Sequence, residues 1–434
     1  MTTEKQEEKT TKTVPPPRLR FKQFEGQGEW EEKRLREVCE INPGGERIPA
    51  SFIYIDLEAV SDGKLHCERV VQRNDAPSRA QRVLKSGDII FQTVRPYQKN
   101  NLFFEAVNDE YRYVASTGYA QLRARGSEKF LYYSVLEDRF VERVIAKCTG
   151  SNYPAINSSD LSDITLFTTS LPEQQHIAAT LSSLDDLITA HADKLEALRQ
   201  HKRGLMQGLF PAEGERVPRL RFPEFAEAGE WKEKRLGDIA QTLGGLTGKA
   251  GKDFGSGSPF VTYKQVFDYS SVDFSKCALV KVEDGERQNA LEFGDILITM
   301  SSETPEEVGY ASVVLQSPQQ NTYLNSFCFL LRPMKEEIDA GFSKYLFHSP
   351  PYRKAVVVLA QGVTRFNISK NRFLDLRLAL PPLPEQQHIA ATLSSLDDLI
   401  TAQADKIAAL QEFKRGLMQG LFPSTTAAAQ EAGK

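Results

Sequence analysis

The segment LPEQQHIAATLSSLDDLITA stands at Leu171–Ala190 and returns without a change at Leu383–Ala402. The identity runs on: Leu171–Pro211 and Leu383–Pro423 agree at 35 of 41 positions, and the six differences all fall between His191 and His201. From Glu173 the apolar residues recur at alternating intervals of four and three. The first copy gives Ile177, Leu181, Leu184, Ile188, then His191, Leu195, Leu198, Lys202, Leu205 and Leu209. The second gives Ile389, Leu393, Leu396, Ile400, Gln403, Ile407, Leu410, Lys414, Leu417 and Leu421. This is the seam of a coiled coil with two polar interruptions in each strand.

The ends of these helices are written into the same segment. Pro172 and Pro384 stand where a missing N–H is no loss, Glu173 and Glu385 complement the positive helix start, and Pro211 and Pro423 stop the helices. A parallel pair in register would set Lys202 against Lys414, whereas an antiparallel pair separates the two charges, so antiparallel packing is expected. Roughly 36 residues at about 1.5 Å each make a rod of about 54 Å. Each preceding region feeds the N-terminal end of its own helix, so the rod is expected to hold two globular regions apart. Such a spacer suits a split site on duplex DNA, where half-sites lie about 34 to 36 Å apart.

Identity extends beyond the seam. Gln174, Gln175, His176, Ser182, Ser183, Asp185 and Asp186 all match their copies, although a seam does not need them. The expectation is that each helix presents one surface to one kind of partner, which then binds twice. That face is expected at Gln174, Gln175 and His176 and at Gln386, Gln387 and His388. In the shared KRGLMQGLF, Gly204, Gly208, Gly416 and Gly420 join it, since a helix-interior glycine costs about 1 kcal/mol and is tolerated where another backbone comes close.

A shorter repeat opens each half. PRLRFKQFEGQGEWEEKRL begins at Pro17 and PRLRFPEFAEAGEWKEKRL at Pro218, and the only tryptophans, Trp30 and Trp231, hold equivalent places in them. Between the repeats the two halves are unlike, apart from fragments such as Gly87-Asp88-Ile89-Ile90 with Gly294-Asp295-Ile296-Leu297, and Gly150 with Gly362. Each unlike region mixes strand-like runs (SFIYIDL, GDIIFQTV; GDILITM, NSFCFLLRP) with one helical stretch, KFLYYSVLEDRFVERVIAKC or FSKYLFHSPPYRKAVVVLAQ. A mixed α/β domain is expected in both.

Composition sets outer limits. A chain of 434 residues with 40% hydrophobic content can bury two or three cores. Its formal charge of −4 gives no overall basic signal, so any contact with nucleic acid has to come from local patches. Five scattered cysteines, Cys39, Cys67, Cys148, Cys277 and Cys328, form neither a CxxC pair nor an even framework, which fits a reducing compartment and argues against zinc and disulfides. No run of about 18 apolar residues and no signal-peptide core is visible, so the expected location is the cytoplasm. MTTEKQEEKTTKTVPPP and STTAAAQEAGK read as loose tails.

Over about Pro17–Pro423 the chain resembles the DNA-specificity subunit of type I restriction-modification systems. The resemblance is carried by the paired LPEQQHIAATLSSLDDLI and KRGLMQGLFP blocks, each placed after an unlike region of roughly 150 residues. It implies that the unlike regions are target recognition domains, one per half of a bipartite DNA sequence, and that the helices set the gap. It further implies two methyltransferase subunits carrying S-adenosylmethionine, restriction subunits that use ATP and magnesium, and no cofactor or catalytic chemistry on this chain. The layout expected is a tail at 1–16, a target recognition domain at 17–170, a spacer helix at 171–211 and a linker at 212–217. A second recognition domain at 218–382, a second spacer helix at 383–423 and a tail at 424–434 complete it. The fold class is thus α/β, two mixed domains separated by two long helices in an antiparallel coiled coil with a pseudo-twofold internal repeat.

Two catalytic look-alikes compete with that reading. Ser349-Pro-Pro-Tyr352 matches the short signature with which amino-methyltransferases hold a flipped adenine, but it is placed like a connection between helical pieces and no Gly-rich cofactor loop precedes it. GGLTGKAGKD at Gly244–Asp253 misses the phosphate-loop spacing, with Leu243 where the first glycine belongs and Ala250 where Ser or Thr must reach magnesium. The alternatives to a recognition subunit are therefore a DNA adenine methyltransferase with its own site and a coiled-coil adaptor without DNA affinity.

Reading bases requires hydrogen-bonding side chains on loops that reach the groove, with cations for the phosphates. In the first domain QTVRPYQKNN offers Arg95, Tyr97, Gln98, Lys99 and Asn100, and TGSNYPAIN offers Ser151, Asn152 and Tyr153. In the second, VTYKQVF offers Tyr263, Lys264 and Gln265, and QGVTRFNISKNR offers Thr364, Arg365, Asn367 and Lys370. The Gly150 and Gly362 loops are equivalent in position and unlike in side chains, as two readers of different sequences require.

Overall fold

Both copies of the repeated segment fold as single α-helices, Leu171–Gly208 and Leu383–Leu421, in a computed structural model that describes residues 14–108, 110–150, 152–334 and 337–424. The expected tails fall largely on 1–13 and 425–434, outside the described residues. The chain divides into two units, residues 1–191 with 406–434 and residues 192–405, so each long helix contributes to both.

Within the first unit, Ile177, Ala178 and Leu181 share a core with Leu417, Leu421 and Phe422, and Lys414 Nζ lies 2.5 Å from Asp185 Oδ1. Rising numbers on one helix meet falling numbers on the other, so the pair is antiparallel. The second unit repeats the arrangement, with Leu209 in one core with Ile389 and Leu393, and Lys202 Nζ 2.5 Å from Asp397 Oδ1. The lysines that interrupt the seam are thus each neutralised by an aspartate lying off it. Tyr133 and Tyr345 donate to the same two carboxylates at 2.8 Å, and Lys344 adds a bond to Asp397 at 2.7 Å. Burial works to raise the Asp397 carboxyl, but the bonds from Lys202 and Lys344 carry it below the usual carboxylate range. Seam burial is deep at Ile177, Leu181, Ile389 and Leu393 and only partial at Ile188, Leu195 and Leu198, in the middle of the first helix.

The two sequence repeats recognise one another. Arg20 grips Glu173 through two bonds of 2.8 Å, and Arg221 grips Glu385 through bonds of 2.8 and 2.7 Å, with both carboxylates 1% exposed. Phe21 and Phe24 pack on His176, and Phe222 and Phe225 on His388. At the other end of each helix, Leu220 N donates to Gly208 O and Leu19 N to Gly420 O, both at 2.8 Å. A Cβ on Gly208 would meet Leu220 at 2.4 Å and one on Gly420 would meet Leu19 at 2.5 Å, so these glycines make room for the PRLRF segments of this same chain.

Each globular region opens and closes on one antiparallel strand pair, Glu31–Arg34 with Thr165–Thr168 and Lys232–Arg235 with Arg377–Leu380, which delivers the chain into its helix. In the first region two four-stranded sheets follow. One orders Arg69–Gln72, Ser51–Ile55, Arg112–Ser116 and Ala80–Val83; the other orders Cys39–Ile41, Tyr119–Ala124, Ile89–Gln92 and Leu102–Phe103. The second region orders Ala240–Gly244, Cys328–Pro333, Ile296–Thr299 and Ala311–Val313 in one sheet and Ala278–Val280, Phe254–Val261 and Tyr323–Leu324 in another. The shared Gly-Asp-Ile fragments play the same part in both regions. Asp88 is buried and clamped by Arg123, and Asp295 by Arg332, while Gly87 and Gly294 turn at φ 90° and 86°.

The single helical stretch expected in each region is two helices. Glu128–Leu136 and Asp138–Ile145 are separated at Glu137, which adopts ψ 136°, and Ala340–Leu346 and Pro350–Val357 are separated at Phe347–Ser349. The second break falls at Ser349-Pro-Pro-Tyr352, in keeping with its reading as a connection between helical pieces.

Candidate nucleic-acid interface

In the first region, the strand Ile89–Gln92 runs out into a loop held by left-handed residues at both ends of a short 3-10 turn, Arg95 at φ 55° and Lys99 at φ 54°. A tight hairpin at 149–155 lies against it. Thr149 and Ala155 exchange both backbone bonds, and Gly150 at φ 94° allows the turn. Arg95 N donates to Pro154 O at 2.8 Å and Ile156 N to Thr93 O at 3.0 Å, so the two loops form one surface. On it the Arg95 guanidinium lies 4.4 Å from the centre of the Tyr153 ring, and its buried Nε has no partner among the described residues. Tyr97, Gln98, Asn152 and Tyr153 are exposed and Asn100 is half-buried. Lys99 is turned inward, with Nζ 3.0 Å from Leu136 O and 2.5 Å from Asp138 Oδ1, so it braces the loop on the paired helices. Ser151 lies outside the described residues.

In the second region the equivalent hairpin is 361–367. Gln361 and Asn367 exchange backbone bonds of 3.0 and 2.8 Å, and a Cβ on Gly362 would sit 2.0 Å from Arg365 O. Thr364, Arg365 and Asn367 are exposed, Arg365 lies 6.0 Å from the exposed Phe327 ring, and Lys370, half-buried, opens the helix Lys370–Leu374. Phe366–Asn367 pairs with Ser301–Ser302, and Tyr263 Oη donates to Ser301 O at 2.7 Å. Tyr263 therefore joins this surface as a brace, and burial pushes its hydroxyl above the usual tyrosine range. Lys264 is exposed and pairs with Asp268 one turn on. Gln265 corrects the expectation: it is 3% exposed, on the inward side of the helix Tyr263–Asp268 with Val266, and accepts from Asp273 N at 3.2 Å.

The expected partner face separates into two groups. Gln174 donates to Thr168 Oγ1 and Thr169 O, Gln386 donates to Glu337 O and Pro381 O, and His176 and His388 are packed under phenylalanines, so all four dock the helix starts on this chain's own regions. Asp185 and Ser182 are likewise taken, by Lys414 with Tyr133 and by Lys129. Gln175 and Gln387 remain exposed. Below them on the same face stand Ala179, Ser183, Asp186 and Leu187, matched by Ala391, Ser395, Asp398 and Leu399. Leu187 is 44% and Leu399 57% exposed. Nothing lies within 4 Å of a Cβ built on Gly204 or Gly416.

The look-alikes have structural roles. Ser349 Oγ donates to Leu346 O, and Tyr352 is fully buried with its hydroxyl on Gly309 O at 2.8 Å, so no adenine can stack there. Gly251–Asp253 is a short 3-10 turn, and Lys249 in its loop is paired with Glu286. No His, Cys, Asp and Glu cluster among the described residues could hold a metal, and no described helix is long and apolar enough to cross a membrane.

Residues 27–200 and 228–412 each match the family described as type I restriction modification DNA specificity domain, one match per half of the internal repeat. The chain belongs to that family. A Methanocaldococcus jannaschii protein provisionally named the MjaX specificity subunit of a type I restriction enzyme is 24% identical over 420 residues, 91% of this chain and 93% of that protein. The EcoKI specificity subunit of Escherichia coli K12 is 33% identical over 138 residues, 29% of this chain and 27% of its own. Among solved structures, a chain from work on complex assembly and conformational transition of the type I R-M system aligns with a TM-score of 0.59 at 24% identity, covering 96% of this chain and all of the other. The type I restriction-modification S subunit from M. genitalium aligns with a TM-score of 0.53 at 16% identity, covering 95% and 100%. These two are likenesses of fold.

Proposed function

We propose that this chain is the non-catalytic DNA-reading subunit of a type I restriction-modification complex, in which the first globular region reads one half of a bipartite duplex site and the second reads the other. One observation carries the reading. The hairpins 149–155 and 361–367 share a backbone frame at an offset of 212 residues, yet present Asn152 and Tyr153 in one case and Thr364 and Arg365 in the other. A common frame with exchanged tips is what two readers of different bases need.

The antiparallel helices are the element that sets the gap between the halves. The exposed stripes beginning at Gln175 and Gln387, unlike the off-seam residues spent on docking this chain, are the surfaces left to dock two identical partners. Methyltransferase subunits bearing S-adenosylmethionine fill that place, and restriction subunits bring ATP and magnesium to the assembly.

The test is a genome-wide map of methylated adenines in the host. The wild-type chain should give a two-part motif; Asn152→Ala should relax one half and Arg365→Ala the other, each by roughly the 1 to 3 kcal/mol that a good base contact contributes. A continuous motif, or a motif untouched by both changes, overturns the reading.

A further inference from the structure

The first region carries a run of cations of which only one, Lys85, makes an ion pair among the described residues. Residues 66–85, HCERVVQRNDAPSRAQRVLK, hold Arg69, Arg73, Arg79, Arg82 and Lys85 against Glu68 and Asp75. Lys85 pairs with Glu46, and Glu68 is occupied by Tyr113 Oη at 2.6 Å. Among the described residues none of the four arginines makes an ion pair, nor does Arg47 on the segment alongside. Arg73 N donates to Ala50 O where the strands Ser51–Ile55 and Arg69–Gln72 part, and a cleft of about 440 Å³ opens there, lined by Arg47, Gln72, Arg73 and Asn74.

From this cleft the connection 73–79 crosses to the opposite edge strand of the sheet, Ala80–Val83, and its far end adjoins the base-facing loops. The exposed turn 73–79 ends at Arg79, whose carbonyl accepts from Thr117 N at 2.8 Å; the next residue, Gly118, accepts from Thr93 N and Oγ1 at 3.0 and 2.8 Å. Thr93 begins the loop of Arg95 and Tyr97. On the following strand, Arg82 has a buried Nε without a partner among the described residues, and burial holds its guanidinium below the usual arginine range. The stretch ahead of the Gly-Asp-Ile fragment in the second region is different. Residues 273–292 carry Asp273, Glu283, Asp284, Glu286 and Glu292 against Lys276, Lys281 and Arg287, and both lysines are paired with carboxylates.

We infer that the exposed connection 73–79, with Arg73 and Arg79 foremost and Arg47 beside its start, is a phosphate-binding rail that leads the DNA backbone to the bases faced by residues 93–101 and 149–156. The first half-site is thereby the electrostatically anchored one. Guanidinium forks match phosphate oxygens, and contacts of this kind position a duplex without reading it. The inference rests on the DNA-reading function above.

The experiment measures the affinity of the full chain for its mapped target and for a scrambled duplex across a salt series. Each phosphate neutralised contributes about 0.9 to the slope of log affinity against log salt. Arg73→Ala with Arg79→Ala should therefore lower the slope by about two and weaken both duplexes by the same factor, while the methylated motif is unchanged. Arg73→Lys with Arg79→Lys keeps the charge and should keep the slope. An unchanged slope in the alanine pair, or a loss confined to the target duplex, overturns the rail. A wild-type chain that does not distinguish the two duplexes overturns the reading of function instead.

Discussion

Arg221 and Glu385 are a buried, doubly bonded pair contributed by two different sequence repeats, and Trp231 Nε1 lies 3.3 Å from the same carboxylate. Removing one partner of such a pair leaves a charge stranded away from water, so Arg221→Ala should cost about 3 to 5 kcal/mol, read from urea unfolding. Glu137 tests a second residue-scale effect. Burial pushes its carboxyl up to about 7, against the opposing pull of Arg139 and Arg143. The folded chain holds that proton more tightly than the unfolded one, so stability falls as pH rises from the ordinary carboxylate range through about 7. Glu137→Gln should flatten that fall, seen by comparing urea midpoints near pH 5 and near pH 8. The identity of Gln174, His176 and Asp185 with their copies was legible as constraint. Its direction was not, because a repeat shows that a contact is kept and does not show whether the other side belongs to the same chain. For His176 the matching PRLRF segment held the answer, whereas Gln174 is bound by Thr168 and Thr169 and Asp185 by Lys414 and Tyr133; Gln265 was misplaced because one turn of helix decides whether a polar side chain faces in or out.

The long helices were readable as elements because their period, caps and stops all agree, and the lysine conflict at positions 202 and 414 was sufficient to choose the antiparallel pairing. What the seam pattern could not supply was the pairing of those lysines with Asp397 and Asp185, which sit off the seam. The break at Phe347–Ser349 is marked by Pro350 and Pro351 at the start of the later helix, whereas the one at Glu137 carries no such mark and is imposed by packing. The helices also yield a direct test of their proposed role as a ruler. One added heptad in each helix lengthens it by about 10 Å, which at 3.4 Å per step is about three base pairs. Insertion in the half-buried middle, after Leu195 and Ile407, should leave both halves of the methylated motif intact and widen the gap between them by about three.

At the scale of the molecule, the sequence announced two halves, and the units formed by the chain are cut differently, through the helices at residues 191 and 405 rather than at their ends. Sequence repeats mark what was duplicated; compact units follow what packs, and each region packs on the beginning of its own helix and the end of the other. The hydrogen bond from Leu19 to Gly420 has an outcome in time as well as in space. The second unit is one continuous stretch of chain and can close as soon as it leaves the ribosome. The first must wait, its apolar face uncovered around Trp30, Phe130 and Ile177, until Leu417, Leu421 and Phe422, which lie beyond the second unit in the chain, have been made. Synthesis therefore completes the domain begun first only after the one begun second, and a message cut short between residues 405 and 417 sacrifices the earlier half while sparing the later.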